Sequence, residues 1–358
     1  MERYAASVLG EFAAEVFRAA GLSLRDAAIS ADCLIAADLR GTHSHGVIRL
    51  PFLARRLAQG GANPAPQLRV LRDAPATALL DGDGGLGAVT AHHAMELAMD
   101  KAAQMGVGLV VARNSDFIGT CAYSAMLALE RNMIGLTWTN GAPGMAPWGG
   151  ARNGIGNNPL GIAVPAGESP PVVLDMAMSV SAGGKVRLAA KRGEKVPPGW
   201  ILDSAGRDTQ DPAELEAGGT LLPLGHKGFG LAVMGEILAG VLGDAAILHE
   251  IPPWFSEPAR RVANGHLHLA IDIAAFRDPG GFHRRVGEMA GALKATPLRA
   301  GSDEILLPGE RAARTEAAHT RTGIPVPQEI VSDLDHLAAT YGIRAPQPLD
   351  LAATGAAG

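Results

Sequence analysis

The sequence predicts an α/β (α+β) protein, with a mixed sheet in the middle of the chain and a helical layer from its N- and C-terminal segments. Residues 1–60 carry helical periodicity interrupted by glycines at 21 and 41–46. Continuous apolar runs at 107–112 and 172–175, with strand patterns at 134–139, 161–164 and 266–273, place the sheet in the middle. Helical patterns return at 280–294, 309–321 and 327–341. Strands and helices alternate only loosely, which favours a mixed arrangement over a regular parallel one.

A first helix over 4–20 stops at Gly21. Ser23 can cap the second, with Asp26 three residues on in a capping-box-like position, and that helix runs to about Leu39. A third is expected over 47–59, ended by Gly60 and Gly61. Short strands follow at 68–72 and 77–80, then helices at 88–104 and 122–130. Residues 140–171 are rich in Gly, Pro and Asn, and 193–226 read as a long excursion of turns. The span 228–242 is the most apolar helix. These elements divide into an N-terminal helical segment (1–75), a mixed-sheet region (76–300), C-terminal helices packing back on the first segment (301–345) and a disordered tail (346–358).

The chain of 358 residues can bury a sizeable core. With 47% hydrophobic and 19% charged residues it is in the ordinary globular range. A net charge of -5 argues against nucleic-acid binding, which needs a basic face. Two cysteines, Cys33 and Cys121, are too few for a disulfide scaffold or a cysteine zinc site and read as small buried hydrophobes. Glu2, Glu11 and Glu15 rule against a signal peptide, and the apolar run 231–242 is too short to span a bilayer. A cytoplasmic protein is the resulting expectation.

Residues 81–87, Asp-Gly-Asp-Gly-Gly-Leu-Gly, contain GxGxxG between a strand and a helix, the context of a dinucleotide-binding turn. The acid such a unit places about 20 residues on is missing. The next acid after a strand pattern is Asp116, and Asp81 and Asp83 would crowd a pyrophosphate. A glycine-rich turn into a helix is the better reading.

Four segments carry chemistry. Gly41 and Gly46 bracket Thr42-His43-Ser44-His45 just before the third helix. His45 would sit near that helix's N-terminus, where the dipole favours neutral imidazole. Neutral histidine can take a proton from a hydroxyl, and its conjugate acid can return one to a carbonyl. Arg49, one turn on, can hold a carboxylate with paired hydrogen bonds. A capping loop with a satisfied histidine and a surface arginine fits the spacing equally well. His43 and His45 could also face one metal, but no third ligand is near, so no metal is expected. The stretches 153–159 and 172–179 join a buried strand to small and polar residues, where α/β sheets bind ligands, or form an ordinary strand-to-loop junction. His226 and Lys227, among glycines at a helix start, suit a phosphate or a plain helix entry. The turn at 307–311 is uninformative alone.

Taken in order, RGTHSHGVIRLPFLARRLAQGGANP, DGDGGLG, APWGG, GNNPLGIAVP, VLDMAMS, GWILDSAGRDTQDP, LPLGHKGFGLAVMGEIL and LLPGE resemble the malate/L-lactate dehydrogenase family over about 4–340. That family includes sulfolactate and ureidoglycolate dehydrogenases, diketogulonate reductase and piperideine or pyrroline carboxylate reductases. The resemblance implies a non-Rossmann fold binding NAD or NADP, and a homodimer acting on a small-molecule carboxylate. It implies His45 as proton donor and acceptor, with Ser44 and Arg49 beside it. Asn157 and Phe117 would join Arg49 at the substrate. Cofactor contacts would come from Val173, Leu174, Asp175, Met176, Ala177, Met178 and Ser179, from His226 and Lys227, and from Gly309, Glu310 and Arg311.

The chain departs from the family at 113–119, where Phe117 replaces the usual histidine, and at Gly141, where Ala or Ser is common. Three readings follow: hydride transfer at C2 of a small 2-oxo acid resting on His45 alone, reduction of a cyclic imine 2-carboxylate, or a non-catalytic nucleotide-binding member.

Overall fold

The computed structural model describes residues 1–253 and 255–350. In chain order the elements are β1 (Glu2–Tyr4), α1 (Ala6–Ala19), α2 (Leu24–Leu39), α3 (Leu50–Ala58), β2 (Arg69–Asp73), β3 (Thr77–Asp81), α4 (Gly87–Met105), β4 (Val107–Ser115), α5 (Cys121–Met126), β5 (Met133–Thr139), β6 (Leu160–Val164) and β7 (Val172–Met176). Then come α6 (Gly183–Arg192), β8 (Ile201–Leu202), β9 (Asp208–Thr209), β10 (Thr220–Leu221), α7 (Gly225–Gly235), β11 (Asn264–Asp272), α8 (Pro279–Lys294), α9 (Glu310–Thr322), β12 (Ile324–Val326) and α10 (Gln328–Tyr341).

The main sheet has seven strands in the order β2-β3-β4-β11-β5-β6-β7. Only β3 and β4 run parallel, and α4 is the crossover that such a pair requires. Alternation along β4 sends Val110 and Ala112 to one face and Val111 to the other. The first two pack with Ala94, Met95, Ala98, Met99 and Ala102 of α4. Val111 packs with Trp138, Met145, Met178 and Leu267 on the opposite face. Covering on both faces is why the 107–112 run reads as continuously apolar.

The helical layer has its own core. Leu9, Phe12, Val16 and Phe17 of α1 meet Leu34 of α2, Leu50, Leu53 and Leu57 of α3, and Leu334 and Leu337 of α10. β1 pairs antiparallel with β12, joining the first and last segments. Ser23 caps α2, accepting from the Asp26 amide at 3.1 Å. Beyond Pro346, the Leu349 amide donates to the Arg3 carbonyl at 2.7 Å. Residues 351–358, the rest of the expected tail, lie outside the described residues. No helix among the described residues is long and apolar enough to cross a membrane.

Four expectations are corrected. The stretch before Leu50, expected to be helical from 47, is not the start of α3. It forms two short 3-10 turns, His43–His45 and Val47–Arg49, because Gly46 breaks the helical path. The excursion 193–226 contains a small sheet of order β10-β8-β9. The helix α6 was not anticipated, since Gly183, Gly184 and four basic residues hid its single buried apolar position, Val186. The apolar helix begins earlier than expected, at Gly225, and loosens into a π-helix over Glu236–Gly240.

The glycine turn at 82–87 is packed shut. The Asp83 amide donates to Asp81 at 2.9 Å, and Arg261 donates to the Asp83 carbonyl at 3.0 Å. A Cβ on Gly87 would stand 2.1 Å from the Asp116 carbonyl oxygen. The turn therefore brings α4 against the 116–117 backbone, and no diphosphate has room there. Gly87→Ala should lower the unfolding free energy by about 1–3 kcal/mol, because the obstacle is backbone. Gly287→Ala, on exposed α8 with nothing within 4 Å of its Cβ position, should instead raise it by about 0.5–1 kcal/mol. Urea denaturation of both variants checks the pair.

Candidate active site

Asp38, buried near the end of α2, organises the histidine loop. Its carboxylate contacts His43 Nδ1 at 2.8 Å and accepts from the Val47 amide at 2.7 Å. A Cβ on Gly46 would lie 2.1 Å from that carboxylate, so only glycine lets the loop close over it. His319 of α9 adds Nδ1 to the Asp38 carbonyl at 3.1 Å. His43 is thus turned toward Asp38 and His319, away from His45. Among the described residues no three His, Cys, Asp or Glu side chains converge for a metal.

His45 faces the other way. Its Nδ1 lies 2.9 Å from Ser44 Oγ, and its ring stacks on Phe117 with centroids 5.6 Å apart. Burial pushes the imidazole down to about 4, and the charge of Arg49 adds to the shift. The neutral form expected from a helix dipole is thus reached by another cause, since α3 starts only at Leu50. Arg49 donates Nε to the Ser44 carbonyl at 2.6 Å, and its guanidinium lies 4.8 Å from the Phe255 ring centroid. Burial lowers Arg49 to about 10, and Arg187 of α6 reinforces this by like charge.

Phe117 is held by a buried ion pair. Arg56 of α3 reaches Asp116 through Nη2 at 2.5 Å and Nε at 3.2 Å. It also donates to the carbonyls of Gly61, Pro258 and Arg260. The other Asp116 oxygen accepts from the Phe117 amide at 2.7 Å. Residues 49, 52 and 56 share one face of the turn leading into α3, so Arg56 reaches three walls of the site at once.

The expected cofactor segments flank β7, with 308–311 beside Val173 near its start and 177–179 beyond its end. The Val173 amide donates to the Pro308 carbonyl at 3.0 Å, and Gly309 packs on the Val173 backbone, so 308–311 lies along this strand. Leu174 and Asp175 pair with Ile162 and Gly161, and Met176 with Leu160. Ala177 leads to Met178, whose amide donates to the Asn157 carbonyl at 2.8 Å and whose carbonyl accepts from Leu224 at 2.9 Å. Ser179 bridges to Pro223 and donates to Ser181 at 2.8 Å. Asn157 therefore stands beside the strand end by its backbone. Glu310 is committed to Lys294 and Arg314 at 2.6 and 2.7 Å, which anchors the turn. Arg311 is exposed on α9.

His226 and Lys227 are exposed in the first turn of α7, where helices leave amides unpartnered. Gly225 has φ 58° and open space at its Cβ position. An eleven-residue helix opening on glycine and lysine fits a nucleotide diphosphate. The two groups of residues adjoin: the Gly184 Cβ position is 4.0 Å from Ser44, and Arg40 stands within electrostatic reach of Asp175.

Arg56, Phe255 and Arg187 were missed by sequence reasoning. Arg56 could have been found as the third member of the 49, 52, 56 face. Phe255 and Arg187 lie in segments without readable periodicity.

The malate/L-lactate dehydrogenase family matches residues 4–335, and the chain belongs to that family of oxidoreductases acting on CH–OH groups. It is 37% identical to the malate dehydrogenase of Pyrococcus abyssi over 344 residues, 94% of this chain and 94% of that protein. The sulfolactate dehydrogenase structure from Methanocaldococcus jannaschii superposes with a TM-score of 0.90 at 35% identity, over 96% of this chain and 98% of that one. The delta1-piperideine-2-carboxylate reductase of Pseudomonas syringae gives 0.82 at 27%, over 95% and 99%.

The low position of His45 has a consequence for stability. The unfolded chain takes up this proton near 6.5 and the folded protein only near 4, so stability is lost as pH falls across that window. NMR titration should keep the ring neutral down to about 4 in the wild type. In Arg49→Gln the midpoint should rise yet stay below 6.5, because burial is the larger cause.

Proposed function

We propose that the protein transfers hydride between NADH or NADPH and C2 of a small 2-hydroxy or 2-oxo acid, with His45 moving the proton. The observation that carries this is a neutral imidazole next to an arginine in a family of hydroxy-acid dehydrogenases. The nicotinamide, when bound, supplies or accepts the hydride. Lys227 and the first-turn amides of α7 would hold its diphosphate, and the 173–179 and 309–311 backbones its remaining length. Arg49 grips the C1 carboxylate. In oxidation His45 takes the C2 hydroxyl proton; in reduction its imidazolium returns one to the developing alkoxide. Ser44 at Nδ1 fixes the ring so that Nε2 faces the reacting carbon.

Arg187 sharpens the substrate class. Its guanidinium lies within electrostatic reach of Arg49 and, although its Nε donates to Glu216 at 2.6 Å, its remaining nitrogens favour an acid with two anionic groups, such as malate or sulfolactate, the substrates named for two of the relatives. The cyclic-imine reading is favoured by the apolar Phe117 stacked on His45 and by the piperideine carboxylate reductase likeness. A homodimer in the cytoplasm completes the proposal. Its support is the exposed apolar row Leu231, Met234, Ile237 and Val241 along the most apolar helix.

A panel of oxaloacetate, sulfopyruvate, pyruvate and piperideine carboxylate with both reduced nicotinamides separates these readings. Oxaloacetate or sulfopyruvate should have the highest kcat/KM. Turnover of the imine alone would reject the hydroxy-acid reading, and no turnover at all would leave a nucleotide-binding protein. His45→Ala should cost about 10²–10⁴-fold in kcat. Arg187→Gln should cost about tenfold or more in kcat/KM for oxaloacetate while sparing pyruvate, consistent with loss of one charge-assisted contact.

A further inference from the structure

Arg49 is held from both sides in a way that its assigned role does not itself require. One edge is tied by Nε to the Ser44 carbonyl. One face lies on Phe255, 4.8 Å from the ring centroid, well inside cation–π range. Phe255 in turn packs on Phe52, with centroids 5.1 Å apart and planes 41° to each other. Phe52 carries the Arg56 guanidinium 5.9 Å from its centroid. Arg56 is the residue that holds Asp116 and, through it, Phe117 against His45. The contacts therefore run in a ring: His45, Ser44, Arg49, Phe255, Phe52, Arg56, Asp116, Phe117 and back to His45.

We propose that Phe255 is a positioning residue for Arg49, setting the guanidinium plane so that its terminal nitrogens face the substrate carboxylate. This rests on the reading of Arg49 as the carboxylate anchor. Paired hydrogen bonds to a carboxylate require the guanidinium to lie in the carboxylate plane. With Nε committed to Ser44, the remaining freedom is rotation of the plane about that bond. A ring stacked on one face removes it. Phe255 is 47% exposed, so its replacement spares the folded core. Its loop, between the Pro252-Pro253 pair and the Pro258 and Arg260 carbonyls gripped by Arg56, is fastened at its far end to α3.

The test uses the full chain, with Phe255→Leu and Phe255→Tyr beside the wild type, and oxalate as a carboxylate probe in calorimetry. Circular dichroism confirms folding. Phe255→Leu should weaken oxalate about tenfold and raise KM for the best 2-oxo acid by a similar factor, the size of a lost cation–π contact. Its kcat should stay within about twofold, since His45 keeps its Phe117 stack. Phe255→Tyr, which keeps the ring, should restore both constants. Unchanged oxalate affinity in Phe255→Leu overturns the inference, as does a wild type that binds no oxalate. Phe255-dependent oxalate binding without turnover of any oxo acid would support the positioning role and count against the proposed activity alone.

Discussion

The Arg56–Asp116 ion pair is the contact on which the site's geometry depends. Both side chains are fully buried, so neither charge is tolerable without the other. Removing one partner from such a pair costs about 3–5 kcal/mol, although replacing both by apolar groups can be neutral. Its value lies less in net stability than in what it joins. One guanidinium spans α3, the 116–117 segment and the 258–260 loop. Desolvation pushes the Asp116 carboxyl upward, and Arg56 opposes that shift. The Asp116 carboxyl, bonded to Arg56 on one oxygen and to the Phe117 amide on the other, ties α3 to the 116–117 segment.

From that point the chemistry follows by proximity. Phe117 walls one face of His45, and burial of the ring favours its neutral form. Gly87 lets α4 approach the 116–117 backbone, so the glycine turn that imitates a nucleotide fingerprint instead buttresses the segment that carries Phe117. Phe117, where the resemblance led us to expect a histidine, therefore has a definite physical effect. It places an apolar ring 5.6 Å from the His45 ring, the imidazole proposed to move the proton.

Much of this was legible in the sequence. The central strand β4 announced itself through an apolar run, because a strand covered on both faces has few polar residues to hide it. The glycine-bracketed loop marked His45 and Arg49 as neighbours. Other features were not legible, for physical reasons. The His45 pKa is lowered chiefly by burial, a tertiary property that a local dipole argument does not see. Helix α6 has one buried position and so almost no amphipathic signal. Phe255 sits in a proline-rich loop, where aromatic residues carry no periodicity. Asn157, expected at the substrate, meets Met178 through its backbone carbonyl, a contact no side-chain pattern signals.

The claim that His45 alone carries the proton is tested most directly by the pH dependence of kcat/KM for reduction of the preferred 2-oxo acid, measured in the wild type and in His45→Gln. One ionisation should govern the wild type, with the rate falling as pH rises and the imidazolium is lost. In the variant that limb should vanish, leaving a slow, flat profile. A variant that keeps the same limb would show that another group moves the proton and would contradict the account.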